Sequence, residues 1–530
     1  YGTSTLHPTY DAWILNGYDE WDIQQHYAGW VLFRNSHWAF PLGLADTIAA
    51  PDGTVISFTD SIPWVSIFFK ALRGVLPSTF QWFGWYTLFC FAMQGAAGAL
   101  LCARGQAKTG AGALVFSTLG GLLFVMLPTL WERAFRHTAL ASQWLFLLAL
   151  YDFLEYRQNL HSGTAKFPWA MPVLAFLAVG IHPYFLPLVM MCALLAAVEL
   201  GRKKKAWGRA ALQLAAAVVG GVLCGAIGSG TGASRSGYGD YSMNLNALIN
   251  PTSRGGYTWS RLYQVMPQQP GQYDGFNYLG FGVLALITAA LLFSLRRAVR
   301  CPQNTKTWWH RNGPVFAACV FLTLFAVSNK IYWGNTGIEL PLPAKLLELC
   351  GIFRSSGRMF YLVAACMVVY AVYTLRDRLP GRYAVLVLAL FVGVQAFDLS
   401  AAAQQKRQKF ADPINATVVN NDQTASLGAG HTQLLAAGEV REDRLRLLAI
   451  LAGKQGLATN LDIAVSGSHP AAEASRADTA ARLAAGQYDP TAVYVTTDGA
   501  TWENWQAVFA GDDSLNFFVA DSCYFMVPAV

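Results

Sequence analysis

Two long apolar stretches in the second half of the chain decide its class. Residues 359–375 read MFYLVAACMVVYAVYTL, residues 383–399 read YAVLVLALFVGVQAFDL, and the basic loop RDRLPGR (376–382) joins them. Each stretch approaches the roughly 20 apolar residues that a helix needs to cross the hydrocarbon core of a bilayer. Two such segments joined by a short basic loop predict a pair of membrane-spanning helices.

The overall composition agrees with this class. The chain is 54% hydrophobic and only 13% charged, whereas a soluble globular domain carries about 25% charged residues. The net charge of +7 comes from basic residues spread over short loops, so no face for binding nucleic acid is predicted. Nine scattered cysteines without a CxxC motif predict neither a disulfide framework nor a cysteine zinc site.

Further apolar stretches extend the pattern toward the N-terminus. Together they predict an α-helical polytopic membrane protein with ten spans: 79–101, 110–128, 138–155, 167–181, 184–200, 210–228, 278–295, 312–329, 359–375 and 383–399. Pro172, Pro183 and Pro187 should shorten or kink the fourth and fifth spans, because proline removes a helix hydrogen bond.

The loops between these spans fall into two sets that differ in basic residues. Lys and Arg number 17 in the 51 positions of 102–109, 156–166, 201–209, 296–311 and 376–382. They number 9 in the 89 positions of 129–137, 182–183, 229–277 and 330–358. The positive-inside rule therefore predicts that the first set is cytoplasmic and the second is on the outer side. An outer N-terminal segment then predicts one more span before Tyr1, which makes eleven.

This orientation divides the chain into three parts. Residues 1–78 form an outer-face first loop, residues 79–399 form the membrane domain with the outer loop 229–277, and residues 400–530 form an outer-face domain. The first loop should carry two helices on the membrane surface. One is the amphipathic stretch 22–33, and the other is an interfacial or re-entrant helix within 61–76.

The C-terminal part should be a small α/β domain. Apolar spans stop after residue 399, and short helical and strand-like patterns then alternate. Helices are predicted at 445–451 and 471–485, and strands at 461–465, 492–497 and 517–527.

Candidate chemistry begins in the first outer loop. Asp19, Glu20, Asp22 and His26 fall within eight residues, beside the predicted membrane surface. A carboxylate at this place could act as a general base on an acceptor hydroxyl. The alternative is a solvated loop whose acids cap a helix, and the residues alone leave both interpretations open.

The other outer loops supply cations and sugar-binding residue types. Lys330, Arg354 and Arg358 lie where topology does not favour basic residues, so they could bind phosphate or extend toward the membrane interface. The loop 229–277 mixes aromatic and amide side chains, which suits carbohydrate, although an ordinary ordered loop would look the same.

The order of several short motifs resembles a bacterial membrane-protein family of unknown function that is itself similar to the GT-C glycosyltransferases. The similarity covers about residues 10–400. Its motifs are Asp22 to Trp30 with Phe33-Arg34, Phe40 to Gly43, Asp60 to Pro63 with Phe69-Lys70, Arg133 and His137 with Gln143-Trp144, His182 to Tyr184, Tyr241 to Leu245 with Asn250-Pro251, and Arg354 to Arg358. Arg136 stands where the family pattern suggests glycine.

The resemblance implies a GT-C architecture and an inverting transfer of a sugar from a polyprenyl-phosphate carrier. By position, Asp22 would be the catalytic base. The implied supporting residues are Glu20, Gln25, His26, Asp60, Arg133 and His137. The donor phosphate would be bound by Arg358, Arg354, Lys330 and His182, and the sugar or acceptor by Tyr241, Asn244 and Tyr238.

The expected setting is the bacterial inner membrane, with the C-terminal domain in the periplasm. The expected partners are membrane lipid, the polyprenyl-phosphate-linked sugar, and a glycan, lipid or protein acceptor. No metal ligands are assigned, and a divalent metal is left open as a cofactor. Three alternatives stay open: an envelope-glycan polymerase or ligase, a transporter or flippase of lipid-linked substrates, and a membrane scaffold whose outer domain binds a partner.

Overall fold

The computed structural model describes residues 1–17, 22–106, 110–164, 169–201, 204–228, 236–411, 417–465 and 469–529. Within these ranges, the first outer segment contains three helices and a short hairpin. These are α1 (Ala12–Leu15), α2 (Asp22–Asn35), α3 (Pro63–Ala71) and the strands β1 (Leu44–Ala45) and β2 (Thr54–Val55).

The membrane domain is a bundle of helices that are mostly apolar. They are α4 (Phe83–Ala103), α5 (Ala111–Val125), α6 (Pro128–Arg133), α7 (Trp144–His161), α8 (Ala170–Ile181), α9 (Phe185–Leu200), α10 (Lys204–Cys224), α11 (Phe281–Arg300), α12 (Pro302–Val327), α13 (Ala344–Gly351), α14 (Phe360–Arg378) and α15 (Gly381–Ala411). A hairpin, β3 (Lys330–Trp333) and β4 (Thr336–Glu339), precedes α13.

Each of the ten predicted spans coincides with one of these helices. Within the described ranges, five helices are long and apolar enough to cross a membrane: Phe83–Ala103, Phe281–Arg300, Thr305–Val327, Ser356–Arg378 and Gly381–Ala411. The helices α8 and α9 are short, with 12 and 16 residues, as their prolines predicted. The number of spans stays a prediction, because the remaining apolar helices are shorter than a bilayer crossing requires.

Loops of the basic set contact one another. Arg104 forms an ion pair of 2.8 Å with Glu155 at the end of α7, and Arg376 donates a hydrogen bond of 2.5 Å to the carbonyl of Arg104. Arg157 donates to the carbonyl of Arg311. These contacts place the basic loops at one end of the bundle. This agrees with the predicted topology, in which every second loop lies at the same end.

The helix α2 differs from its predicted place on the membrane surface. Trp30 and Phe33 are fully buried, since Trp30 packs against Phe69, Phe80 and Trp82 and the Lys70 ammonium lies 4.0 Å from the Phe33 ring centroid. Another side of α2 packs against α16 (Glu442–Gln455) of the C-terminal domain. The apolar residues that suggested a membrane-facing side therefore contact protein. The pattern of polar and apolar residues in α2 shows which side of the helix is apolar. It does not show whether lipid or protein covers that side.

The last membrane helix runs further than its apolar stretch. The predicted span ended at residue 399, whereas α15 continues as a helix to Ala411. The added residues 400–411 are rich in Ala, Gln and Lys, and these residue types have high helix propensity in water. The hydropathy pattern therefore located the end of the apolar segment, and the helix itself ends further along the chain.

The C-terminal domain is a five-stranded sheet with three helices among its described residues, so the prediction of a small α/β domain is confirmed. Its strands are β5 (Gln433–Ala436), β6 (Ala458–Thr459), β7 (Ala492–Thr496), β8 (Leu515–Ala520) and β9 (Cys523–Pro528), in the order β6-β5-β7-β9-β8. The other helices are α17 (Pro470–Ala484) and α18 (Gly499–Val508). The strands β6, β5 and β7 are parallel, and β9 pairs antiparallel with β7 and β8.

Two strand predictions in this domain were wrong. The stretch 517–527 is a hairpin of two strands, because Asp521 and Ser522 both have positive φ and form a two-residue turn. The stretch 461–465 lies outside the sheet, where the amide of Val465 donates to the carbonyl of Phe58. Its hydrogen bonds therefore join the two outer parts of the chain.

The C-terminal domain is docked on the first outer segment through further contacts. The ammonium group of Lys454 lies 2.8 Å from a carboxylate oxygen of Asp11, and Asn35 donates a hydrogen bond of 2.6 Å to the carbonyl of Gly453. This domain holds α2 against the membrane domain, and α2 carries the first residues of the candidate site.

Candidate functional site

Three histidines and one aspartate from four separate segments meet at the end of the bundle opposite the basic loops. We call His26, Asp60, His137 and His182 the histidine cluster. Nε2 of His137 lies 3.5 Å from Oδ2 of Asp60, and Nε2 of His182 lies 3.8 Å from Oδ1 of the same carboxylate. The rings of His26 and His137 pack edge to face with centroids 4.8 Å apart. All three imidazoles are buried, so the cluster forms a shielded polar centre.

Each member is held by a different local structure. His26 lies in the first turns of α2, Asp60 follows the 3₁₀ turn Ile56–Thr59, His137 precedes the 3₁₀ turn Thr138–Ala141, and His182 lies in the break between α8 and α9. Asp60 adopts a left-handed conformation with φ of 55°, which aspartate tolerates better than most residues. The cluster thus joins the first outer segment to two outer loops of the membrane domain.

The Asp60 turn is clamped onto α2. The hydroxyl of Ser61 donates a hydrogen bond of 2.7 Å to the carbonyl of His26. A Cβ at Gly29, one turn further along α2, would lie 2.3 Å from the hydroxyl oxygens of both Ser61 and Thr59. Glycine is therefore required at this position for the carboxylate to approach the histidines.

The buried imidazoles are neutral. Burial lowers the pKa of His26, although the carboxylates of Asp60 and Asp22 act in the opposite direction. Burial also holds the pKa of His137 and of His182 well below the usual value, and the nearby charge of Arg358 lowers both further. Neutral imidazoles present nitrogen lone pairs, which can accept a proton or bind a metal ion.

Asp22 belongs to the same neighbourhood. It is the first residue of α2, and its carboxylate is close enough to His26 and His137 to raise the pKa of both. Within the described residues, nothing donates a hydrogen bond to this carboxylate. An acid at a helix N-terminus is stabilised by the helix dipole, but the side chain does not cap the backbone. Its oxygens are therefore available to a ligand.

A second buried group lies beside the histidine cluster. Nη2 of Arg133 lies 2.7 Å from Oδ1 of Asp274, and Nη2 of Arg358 lies 3.0 Å from Oδ2 of Asp274. We call these three residues the Asp274 network. Arg133 also donates to the hydroxyl of Tyr361 at 3.2 Å, and the guanidinium of Arg358 lies 4.6 Å from the ring centroid of Tyr184. The network fastens the outer loop 229–277 to α6 and to the start of α14.

The network carries an excess of positive charge. Burial alone would raise the pKa of Asp274, but Arg133 and Arg358 hold it well below its usual value. Burial likewise opposes the charge of Arg133, yet the Asp274 carboxylate raises the pKa of this arginine. Two guanidinium groups and one carboxylate leave one net positive charge, and Arg358 directs part of it toward His137 and His182.

Comparison with known families assigns the chain without assigning a function. A family model described as a domain of unknown function, DUF6311, matches residues 1–400, and the model of the DUF6311 C-terminal domain matches residues 423–528. The chain belongs to the DUF6311 family. No curated protein matches this sequence. The function of this DUF6311 chain must therefore be argued from its own residues.

The DUF6311 chain brings some predicted site residues together and uses others differently. His26, Asp60, His137, Asp22, Arg133, His182 and Arg358 all fall in or beside the two buried groups. Gln25 is buried next to them, and its Nε2 atom has no hydrogen-bond partner among the described residues. Glu20 lies outside the residues that the structure describes.

The remaining predicted phosphate ligands are engaged with other residues of the DUF6311 fold. Lys330 forms an ion pair of 2.6 Å with Asp240. The guanidinium of Arg354 lies 5.7 Å from the ring centroid of Tyr241. Neither cation joins the Asp274 network, so the contribution of these two residues to phosphate binding stays a prediction.

The predicted sugar-binding residues hold the outer loop together. Both amide atoms of Asn244 are engaged, with Gln272 at 2.8 Å and with the amide and carbonyl of Gly334 at 3.0 and 2.9 Å. The hydroxyl of Tyr238 donates to the carbonyl of Phe325 at 3.2 Å. In this conformation Asn244 and Tyr238 fold the loop, and their sugar-binding roles stay predictions.

Sequence reasoning missed Asp274, the residue on which two arginines converge. It stands in the Gly-rich and Gln-rich stretch 268–275, where an aspartate looks like an ordinary turn residue. One signal was available, since the arginines at 133 and 358 lie in outer loops of an apolar protein and a buried arginine requires a counter-charge.

Proposed function

We propose that this protein transfers a sugar from a polyprenyl-phosphate carrier to an acceptor on the outer side of the membrane, with Asp22 as the general base. One observation carries the proposal: Asp22 begins the helix that carries His26, its charge acts on His26 and His137, and the charge of Arg358 in the Asp274 network acts on the same His137. A base and an anion-binding charge in one shielded place are the two elements that glycosyl transfer requires.

The charged groups of the site match the charges that develop during the proposed reaction. The acceptor hydroxyl loses a proton as it attacks the anomeric carbon, and Asp22 accepts that proton. The bond from the anomeric carbon to the carrier phosphate breaks, and the phosphate leaves with the bonding electron pair. The surplus positive charge of the Asp274 network stabilises the developing negative charge, and Arg358 is its member nearest to the histidines.

The neighbouring residues position these groups. The Asp274 carboxylate holds the guanidinium group of Arg358 through hydrogen bonds of 3.1 and 3.2 Å from its Nε and Nη2 atoms. Such fixed donors need little reorganisation when charge develops.

The first test measures transfer and binding separately. The full chain is placed in lipid nanodiscs with radiolabelled polyprenyl-phosphate-linked hexoses and an envelope extract as the source of acceptor. Release of polyprenyl phosphate and labelling of the extract report transfer. We expect Asp22→Asn to keep carrier binding and to reduce transfer at least about 100-fold, the low end for loss of a general base. The matched control is Asp52→Asn, an exposed aspartate of the same segment.

The second measurement concerns the anion site. Binding of polyprenyl phosphate alone is followed by its effect on the thermal unfolding midpoint. We expect Arg358→Ala to weaken binding by roughly 10- to 100-fold, the value of one charge-assisted hydrogen bond. The control Arg254→Ala removes an exposed arginine of the outer loop 229–277. A wild-type protein that neither binds polyprenyl phosphate nor releases it from any donor would contradict the proposed function. Near-normal transfer by the Asp22→Asn variant would contradict only the choice of base.

A further inference from the structure

The histidine cluster has the composition of a metal site. We propose that His26, Asp60 and His137 bind a divalent transition-metal ion, that His182 is the fourth ligand, and that Zn²⁺ is the ion this ligand set suits best. Three imidazoles and one carboxylate match the nitrogen and oxygen donors that zinc prefers in proteins. The proposal does not depend on the proposed function, because metal binding is measured without sugar or lipid.

The distances fit a tetrahedral ion. Ligand atoms of His26, Asp60 and His137 all lie within 4.8 Å of one another. Two ligands that are each 2.0–2.1 Å from a tetrahedral zinc ion are separated by roughly 3.3 Å. The 3.5 Å between Nε2 of His137 and Oδ2 of Asp60 is already close to this edge length. The wider separations close by rotation of side chains.

Unsatisfied polar atoms provide an independent sign. The Nδ1 atom of His26 is buried and has no hydrogen-bond partner within the described part of the chain. The Asp60 carboxylate, whose side chain is 18% exposed, receives no hydrogen bond from any described residue. Buried polar atoms in native proteins nearly always have partners, and an ion accounts for groups that lack them.

The electrostatics also favour a cation at this place. The imidazole neighbours of the Asp60 carboxylate lie at 3.5 and 3.8 Å, beyond a good hydrogen bond. A divalent ion would neutralise Asp60 and bind the three lone pairs at once.

Hydrogen bonds fasten the turn that carries Asp60 to the helix that carries His26. The Ser61 hydroxyl fixes the backbone of His26 at 2.7 Å, and Thr59 and Ser61 bond each other at 2.7 Å. Two ligands are thus held by one clamp, with Gly29 allowing the close approach. The clamp thus fixes the backbone of His26 beside the turn that carries Asp60.

The test uses the full chain in detergent, stripped with a chelator and titrated with ZnCl₂ by calorimetry. Metal content after desalting is measured by mass spectrometry. We expect one zinc ion per chain. Loss of a residue that only contacts a metal ligand lowers metal affinity by roughly 10- to 100-fold. His137→Ala and Asp60→Asn remove ligands themselves, so each should weaken zinc affinity by more than this. His182→Ala should also weaken it, and Co²⁺ in the wild type should give the visible bands of a tetrahedral ion.

The matched control is an exposed pair of the same residue types. Nδ1 of His37 lies 2.7 Å from Oδ2 of Asp46, with side chains 91% and 44% exposed. His37→Ala and Asp46→Asn should leave zinc binding unchanged. The proposal is wrong if the wild type binds no zinc, or if the His37→Ala variant loses binding while the His137→Ala variant keeps it. Asp60→Asn preserves side-chain shape, so a folded variant with wild-type affinity would also overturn the proposal.

Discussion

Nε2 of His137 lies 3.5 Å from Oδ2 of Asp60, although the two residues belong to different outer loops. Asp60 stands in a left-handed turn of the first outer segment, and His137 follows α6 in the membrane domain. Their contact means that the first segment is part of the site and cannot move independently of the bundle. The following predictions test the parts of the fold that produce this contact.

The close approach of α2 to the Asp60 turn depends on Gly29. In Gly29→Ala, the added Cβ would lie 2.3 Å from the hydroxyl oxygens of Thr59 and Ser61, so the turn must shift away from α2. We expect a loss of stability of about 1–3 kcal/mol from overpacking and weaker zinc binding. Unfolding in detergent and calorimetry measure the two effects. Gly74→Ala is the control, because a Cβ there meets no atom within 4 Å. Equal behaviour of the two variants would contradict the clamp.

The Asp274 network should dominate the stability of the outer loop 229–277. Asp274→Asn leaves two buried guanidinium groups without their carboxylate, and loss of one partner of a buried ion pair costs about 3–5 kcal/mol. The variant should therefore unfold far more easily at pH 7. Asp377→Asn, which removes the exposed carboxylate beside Arg376, should have no measurable effect.

The same network predicts the sign of a pH dependence. The folded pKa of Asp274 is held well below its usual value, which is about 3.9 in an unfolded chain. Its stabilising effect is therefore complete above about pH 4 and is lost as the pH falls through the folded pKa. The stability difference between the wild type and Asp274→Asn should shrink on acidification below about pH 4. A difference that grew over this range would contradict the ion pair.

The docking of the C-terminal domain should depend on Gly453. A Cβ at this residue would lie 2.5 Å from a methyl carbon of Val31 and 2.8 Å from its backbone carbon. Gly453→Ala should therefore loosen α16 from α2 and increase hydrogen exchange in both helices. Gly499→Ala is the control within the same domain, since its nearest contact would be 3.7 Å. Unchanged exchange in α2 would show that the domain is not what holds this helix.

The predicted orientation can be tested with one native and one introduced cysteine. Cys301 is exposed in the predicted cytoplasmic loop 296–311, and Asp513 is exposed in the C-terminal domain. In a Cys350→Ser background, a membrane-impermeant maleimide should label Cys301 only after permeabilisation of the cells. Asp513→Cys, combined with Cys301→Ser, should be labelled in intact cells. The opposite pattern would invert the orientation.

The sequence by itself determined the membrane-protein class and the location of the apolar helices. Each helix satisfies its own backbone hydrogen bonds. A sufficiently long apolar run therefore predicts a helix without any knowledge of its neighbours. The alternation of basic loops also followed from local counts, and the loops that it grouped together contact one another at one end of the bundle. In the C-terminal domain, α16, α17 and β7 were predicted from short patterns in the same way.

Only the tertiary structure decided which partners these elements have. Trp30 and Phe33 are apolar whether they face lipid or protein, and they are buried because the chain folds residues 69–82 back onto them. Asp274 becomes a counter-ion only when three loops converge on it. The histidine cluster likewise forms no motif of fixed spacing along the sequence, because its residues come from four segments that folding brings within a few ångströms. Contacts between distant segments depend on packing of the whole chain, and no local pattern encodes them.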